Sequence, residues 1–330
     1  MHGMHTRLPK HFVLEERLER YADSIETSPR SLAGAWAEAC HPLEPGRPGA
    51  RYSEVRLDLG CGKGGFTVEA ARREPDVLFV GVDYEPLCIA YAAQKAQESG
   101  LPNVVFVPGR GSDVPEFFSP GEVSLIYLNF PTPFPRARRA RERLTYVDRL
   151  MDFRRVLAPD GRVQLKTDSQ PLRDFTLTQV ELAGYELVWS TDDCRALLPD
   201  DPVSAYEERL CAKGATVFGL CAKPGPEPAH VVQTAPLSLV DYLPDDLSTM
   251  GYVPHGMERT VTNLRNLEAK GRPRTDALRM HIEHMIESGE SPEAVARYLA
   301  EELHFEGDEH RVHAVERRIE RMQGSRRRVY

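Results

Sequence analysis

VRLDLGCGKGG, residues 55–65, joins an alternating apolar run to a cluster of glycines. Val55, Leu57 and Leu59 alternate with Arg56 and Asp58, which is the two-residue period of a strand. Gly60, Gly62 and Gly64 then allow a tight turn with no Cβ between the backbone and whatever approaches it. TVEAARRE (67–74) resumes with helical spacing. Strand, glycine turn and helix in that order open an α/β unit, and the pattern repeats outward from it. VLFVGVD (77–83) predicts a second strand and PLCIAYAAQKAQES (86–99) a helix closed by Gly100, a residue suited to a left-handed C-cap. NVVFVP (103–108) and VSLIYLNF (123–130) predict strands three and four. YVDRLMDFRRVL (146–157) predicts a helix, APDG a turn, and RVQLKTD (162–168) a fifth strand. A helix over LRDFTLTQVELAGY and strands near 185–190 and 215–221 complete the set. Strands separated by helices imply parallel crossovers and a doubly wound, Rossmann-like α/β sheet.

This core is expected to span residues 51–222. Residues 1–50 form a lead-in with helices near 10–21 and 30–40. The Pro-rich stretch 223–236 reads as a linker. Residues 237–330 read as a small helical C-terminal extension, with helical patterns near 257–269, 275–288, 292–303 and 309–323. Ser291-Pro292 is a start signal, Ser as N-cap and Pro at the first helical position.

The chain has 330 residues, 41% hydrophobic and 28% charged, ordinary for a globular protein. No run of about 18 apolar residues is present, so no membrane span is expected, and the first residues lack the apolar segment of a secretory signal. Six cysteines without a CxxC pair fit a reducing, cytoplasmic setting. His281 with His284, and His310 with His313, read as solvated helix faces, and no metal is expected. The formal net charge is -8, which argues against wholesale coating of a nucleic acid. Basic charge is nonetheless concentrated, in Arg136, Arg138, Arg139, Arg141 and Arg143 and again in Arg326–Arg328.

The glycines follow the spacing G-x-G-x-G, not the G-x-G-x-x-G of a dinucleotide site. With Asp58 ahead of them, they suit S-adenosyl-L-methionine, which has no phosphate but carries a cationic amino group and a sulfonium. Asp83 ends the second strand, where a carboxylate accepts ribose hydroxyls, and Tyr84 beside it is placed to pack on adenine. NFPTPFP (129–135) follows the fourth strand at the edge where doubly wound sheets bind ligands. Its three prolines make it stiff. Asn129 is available to the cofactor or to an incoming base, with Thr132 beside it at the transfer site and Phe130 or Phe134 able to stack. Arg136, Arg138 and Arg139 are expected to hold phosphates. Asp168 closes the fifth strand and, with Tyr206 and Glu207 of SAYEERL (204–210), is expected to orient the base or close the pocket.

LDLGCGKG, GVDYEPL, LIYLNFPTPFPRARRARERLTY, LKTD and SAYEERL, in this order over about 55–222, resemble the bacterial tRNA (guanine-N7-)-methyltransferase family. The resemblance implies a class I methyltransferase sheet, a monomer or homodimer, and methylation of guanine 46 in the tRNA variable loop. It implies cofactor contacts from Asp58 and Asp83, where the family usually has Glu, from Arg110, where Asn or Asp is usual, and from Thr132, where the family motif has Asp. Substrate contacts fall on Arg136, usually Lys, on Asp168, and on Ser204 to Glu207. Guanine N7 carries a lone pair and no proton, so its attack needs no general base, and Thr132 in place of Asp is expected to reduce or alter activity without abolishing it. A methyltransferase acting on another RNA or nucleobase substrate, and a non-catalytic RNA-binding protein on the same fold, are the alternatives.

Overall fold

A computed structural model describes residues 13–39, 52–270, 282, 285–286, 288–302 and 307–326. They divide into two units between Tyr242 and Leu243. The first is built on a seven-stranded sheet: β1 (Glu54–Leu59), β2 (Val77–Asp83), β3 (Val104–Pro108), β4 (Val123–Asn129), β5 (Leu157–Thr167), β6 (Tyr185–Thr191) and β7 (Phe218–Pro224). The strand order is β3-β2-β1-β4-β5-β7-β6. Pairings among the first five strands are parallel, as the crossovers predict. β1 and β4 are neighbours, so the winding reverses between them, and the crevice above that reversal is where such sheets bind ligands.

The helices are α1 (Leu14–Arg20), α2 (Trp36–Ala39), α3 (Gly65–Arg73), α4 (Pro86–Ser99), α5 (Val114–Phe117), α6 (Val147–Val156), α7 (Gln170–Leu182), α8 (Cys194–Leu197) and α9 (Ala205–Cys211). Right-handed crossovers place helices on opposite faces once the direction of winding reverses. The helices accordingly fall into two contacting groups, α1 with α3 and α4, and α5 with α6 and α7. β2 is buried along nearly its whole length, Leu78, Phe79, Val80 and Val82 having no exposed surface. Each such side chain contributes about 1.5–3 kcal/mol of burial.

Three features differ from the sequence expectation. β7 runs antiparallel to both β5 and β6. Between β6 and β7 the chain makes α8 and α9 at the carboxyl edge without crossing a face, so β7 has to return from that edge. This leaves α9 beside the site. The expected turn APDG lies inside β5: pairing jumps from Val123↔Leu157 to Leu125↔Arg162, and the intervening residues bulge out. The expected helix over 30–40 is broken by Gly34, at φ +86°, into a 3-10 turn (Pro29–Leu32) and the short α2. Trp36 of α2 anchors this segment, fully buried, with Nε1 donating to the Phe117 carbonyl at 2.7 Å and its ring stacked on Phe118. Gly100 caps α4 in the left-handed conformation, as expected.

The expected linker, 223–236, and the first residues of the expected extension, up to Tyr242, belong to the first unit. Gln233 and Gln179 exchange side-chain hydrogen bonds. Leu239 N–H donates to the Pro135 carbonyl at 2.9 Å, and the Tyr242 ring meets Phe175 edge-on.

In the second unit, the described helices are α10 (Glu258–Glu268), α11 (Pro292–Glu302) and α12 (Glu309–Arg326). Ser291 Oγ accepts from Ala294 N–H and so caps α11 as its sequence predicts. Val295 and Ala296 of α11 pack with Ile319 of α12 in a small apolar core. Most of the helix expected over 275–288 lies outside the described residues, as do His281, His284, Arg327 and Arg328. No helix among the described residues is long and apolar enough to cross a membrane.

Candidate active site

The glycine turn holds itself to the end of β2. Gly60 and Gly62 have φ of +78° and +55°, a region that costs residues with a Cβ. Gly60 N–H donates to the Val82 carbonyl at 2.8 Å and Gly62 N–H to Asp83 Oδ2 at 2.9 Å. The other Asp83 oxygen accepts from Glu85 N–H at 2.9 Å. Burial nevertheless leaves the Asp83 carboxyl above the usual carboxylate range, the backbone donors offsetting it only in part. A Cβ on Gly62 would meet nothing within 4 Å, so the turn is open there to a ligand. Gly64 serves packing instead: a Cβ would lie 2.7 Å from the Phe106 ring and 2.8 Å from Ala92 Cβ. Tyr84 is 69% exposed directly after Asp83, its ring uncovered. Arg110, also exposed, begins the loop after β3, where its N–H donates to Asp113.

Asp58 lies beneath this turn and is buried. It accepts from Thr67 Oγ1 at 2.6 Å and from Asn129 Nδ2 at 3.4 Å. Desolvation pushes its carboxyl up to about 6, opposed by those two hydrogen bonds and by the Lys166 cation. The Asn129 Oδ1 atom is buried and has no hydrogen-bond partner among the described residues. A buried acceptor left in this way costs about 1–3 kcal/mol, which a cationic donor arriving at the β1–β4 crevice would recover.

The loop after β4 is strained and held from several sides. Phe130 and Phe134 have φ of +51° and +43°, a region that L residues with bulky side chains rarely adopt. Phe130 N–H donates to the Lys166 carbonyl at 2.7 Å. Arg143, fully buried, donates Nε to the Pro133 carbonyl at 2.9 Å and Nη2 to the Phe134 carbonyl at 2.8 Å, and lies over the Phe175 ring. Burial lowers its guanidinium to about 10. Thr132 stands exposed at the loop's rim.

The arginine run therefore divides. Arg143 is interior and braces the loop. Arg139 chelates Glu142, with bonds of 2.6 and 2.7 Å, and covers the Phe134 ring. Arg141 bonds Tyr146. Arg136 and Arg138 are exposed, and their side chains make no hydrogen bond or ion pair among the described residues.

On the β5 side, Asp168 is buried just past the strand end. Ser204 caps α9, its Oγ accepting from Glu207 N–H at 3.1 Å. Tyr206 meets Phe130 edge-on with 5.6 Å between centroids. Glu207 is buried, 2.7 Å from Arg195 Nε, and desolvation raises its carboxyl despite the neighbouring cations. Lys166 is fully buried, with Nζ 2.5 Å from Asp201 and 3.9 Å from Glu207. Arg143, Lys166, Arg195 and Asp201 escape sequence reasoning. The one available signal is a lysine near the carboxyl end of a predicted sheet strand, RVQLKTD.

The reversal in strand order, the carboxylates ending β1 and β2, and an open glycine turn between them define a class I S-adenosylmethionine-dependent methyltransferase. A family profile described as "Putative methyltransferase" matches residues 53–220. The chain is 34% identical over 205 residues to a tRNA (guanine-N(7)-)-methyltransferase of Geobacillus kaustophilus, covering 62% of this chain and 90% of that protein. It is 33% identical over 196 residues to the enzyme of the same name from Lactiplantibacillus plantarum, covering 59% and 87%. Among solved structures, the 16S rRNA methyltransferase KamB aligns at a TM-score of 0.42 and 19% identity, over 53% of this chain and 89% of that one. The chain belongs to the tRNA (guanine-N7-)-methyltransferase family.

Proposed function

We propose that this protein transfers the methyl group of S-adenosylmethionine to N7 of guanine 46 in the tRNA variable loop. The observation that carries the reading is the meeting, across the β1–β4 crevice, of an open glycine turn with a braced loop flanked by two uncommitted arginines. In this reading Asp83 takes the ribose hydroxyls, Tyr84 covers the adenine, and Arg110 borders the far end of the cofactor. Gly60 and Gly62 admit the cofactor to the backbone, with Asp58 beneath supplying negative charge. Asn129 Oδ1 accepts from the cofactor's amino group or from the base. When bound, S-adenosylmethionine supplies an electrophilic methyl, and attack by the N7 lone pair moves the positive charge from sulfur to the purine.

Guanine N7 has no proton to remove, so the protein's task is alignment and electrostatic support. Asp58, Asp83 and Asp168 surround the crevice with negative charge that favours a cation on either side of the transfer. Thr132 lines the rim without acting as a base. Asp168 and Glu207 are suited to the N1–H and N2–H2 donors of guanine, with Ser204 and Tyr206 setting the start of α9. Glu207 reaches a base only by giving up part of its contact with Arg195. Arg136 and Arg138 hold phosphates, and Arg139 joins them only when released from Glu142. Such a substrate places the enzyme in the cytoplasm.

The test is methyl transfer from labelled cofactor to unmodified tRNA transcripts carrying G46 or G46→A. Label confined to the G46 transcript, and released by chemistry specific for 7-methylguanosine, is the expected result. Equal label on both transcripts, or none on either with cofactor bound, would sink the assignment of the target base.

A further inference from the structure

Lys166 touches three parts of the site at once. Through its backbone carbonyl it holds Phe130 at the start of the transfer loop, at 2.7 Å. Its side chain turns into the interior, with Nζ 2.5 Å from Asp201 Oδ2, 3.4 Å from the Pro202 carbonyl and 3.9 Å from Glu207 Oε2. It also lies over the Phe66 ring, 4.8 Å from its centroid, at the start of α3. The residue after Phe66, Thr67, donates its hydroxyl to Asp58 at 2.6 Å, so this contact sets the Lys166 cation beside the floor of the cofactor turn, where its charge favours the ionised Asp58 carboxyl. A second cation closes the outer side: Arg195 donates to the Asp201 carbonyl at 3.0 Å and pairs with Glu207 at 2.7 Å.

A lysine with no exposed surface is costly unless its charge is used. Here Lys166 and Arg195 face Asp201 and Glu207, and Lys166 is also the cation that favours ionised Asp58, the carboxylate beneath the cofactor turn. Removing Lys166 would leave Glu207 its pairing with Arg195 and take that favourable charge from Asp58.

We propose that Lys166 is a positioning residue that ties the 201–207 segment to the floor of the cofactor site, so that base recognition and cofactor binding share one buried charge network. The role given to Glu207 rests on the function proposed above. The link between Lys166 and Asp58 does not.

The test uses full-length wild type, Lys166→Met, Lys166→Arg and Asp201→Asn. Cofactor affinity is measured by calorimetry without RNA from about pH 5.5 to 8.5, alongside melting temperature and steady-state transfer to tRNA. Asp58 is faced by Thr67, Asn129, Asp83, Cys61 and Lys166, and only the last is a cation. Ionised Asp58 favours the cationic cofactor, so affinity falls as pH drops through its pKa. Losing Lys166 raises that pKa and moves the acid limb to higher pH.

Lys166→Met is expected to shift the limb upward by about one unit and to lower kcat/KM for RNA by roughly 30-fold at neutral pH, with partial recovery in alkali. Lys166→Arg should restore most of both. Asp201→Asn should raise the KM for RNA without moving the limb upward. A folded Lys166→Met protein with the wild-type limb and wild-type kcat/KM overturns the proposal. If that variant does not fold, an Asp201→Asn enzyme with unchanged KM overturns it instead. Because the limb is read without RNA, a failure to methylate tRNA would strike the functional reading and leave this result standing.

Discussion

On the β1–β2 side of the sheet edge, the contacts that shape the site are local and mostly made by backbone. Gly62 reaches Asp83 across 21 residues and Thr67 reaches Asp58 across 9. On the β4–β5 side they are made by buried cations, and the contact from Lys166 to Asp201 spans 35 residues. Backbone amides around a glycine turn tolerate sequence change as long as φ is accessible and the acceptor remains. A buried guanidinium or ammonium has no such substitute. The first side is a cradle whose turn is held by its own backbone and joined to the second only from below, where Asn129 and Lys166 meet Asp58, whereas the second is an assembly whose geometry depends on residues that never meet substrate.

The sharpest way to break that comparison is at Asp83. Asp83→Ala removes the acceptor of Gly62 and Glu85 and the carboxylate proposed to take the ribose, so cofactor affinity should fall by roughly 100-fold. RNA affinity measured without cofactor should barely change. A parallel loss of RNA affinity would mean that the two sides are coupled through the turn itself and not only through Asp58 beneath it.

Arg143 tests the other side. Arg143→Met keeps most of the side chain's bulk over Phe175 but orphans the Pro133 and Phe134 carbonyls, leaving the strained loop unbraced. The expected result is a fall in kcat of about 30-fold, from misplacement of the reacting pair, with calorimetric cofactor affinity unchanged. A variant whose kcat matches wild type would show that Phe130 and Phe134 hold their φ without the brace.

The difference between the two sides also explains what could be read from sequence. The first five strands and their parallel pairing, the glycine turn, and the places of Asp58 and Asp83 along the chain all follow from periodicities and spacings within single strand–turn–helix units. Asn129 and Thr132 were legible as a loop at a strand end. Nothing local distinguishes Arg143 from Arg136, because one faces Phe175 and the other faces water only after α6 and α7 have packed. Lys166 was hidden for the same reason. The antiparallel β7 was missed because the helices before it are too short to announce whether they cross the sheet or stay at its edge.

The two exposed arginines give a smaller, electrostatic effect. Arg136→Ala combined with Arg138→Ala should weaken RNA binding about five- to tenfold at moderate salt. The plot of log affinity against log salt should be shallower by about 1.4, corresponding to two contacts on single-stranded phosphate. Arg139→Ala alone should change little, since its charge is already matched by Glu142. A loss from Arg139→Ala equal to that of the pair would show that RNA displaces Glu142 on binding.

Thr132→Asp should produce the smallest change and is the most informative about the chemistry. The position is exposed, so a carboxylate there ionises in water at little cost and adds only a screened charge to a crevice already ringed by Asp58, Asp83 and Asp168. If alignment by the braced loop dominates, kcat should move by less than about threefold, and its pH dependence should gain no new limb, because N7 offers no proton for the new group to take. A gain of two orders of magnitude would reverse this ranking. It would place the decisive charge at the loop's rim, and make the buried network on the β5 side a support for a residue this chain has lost.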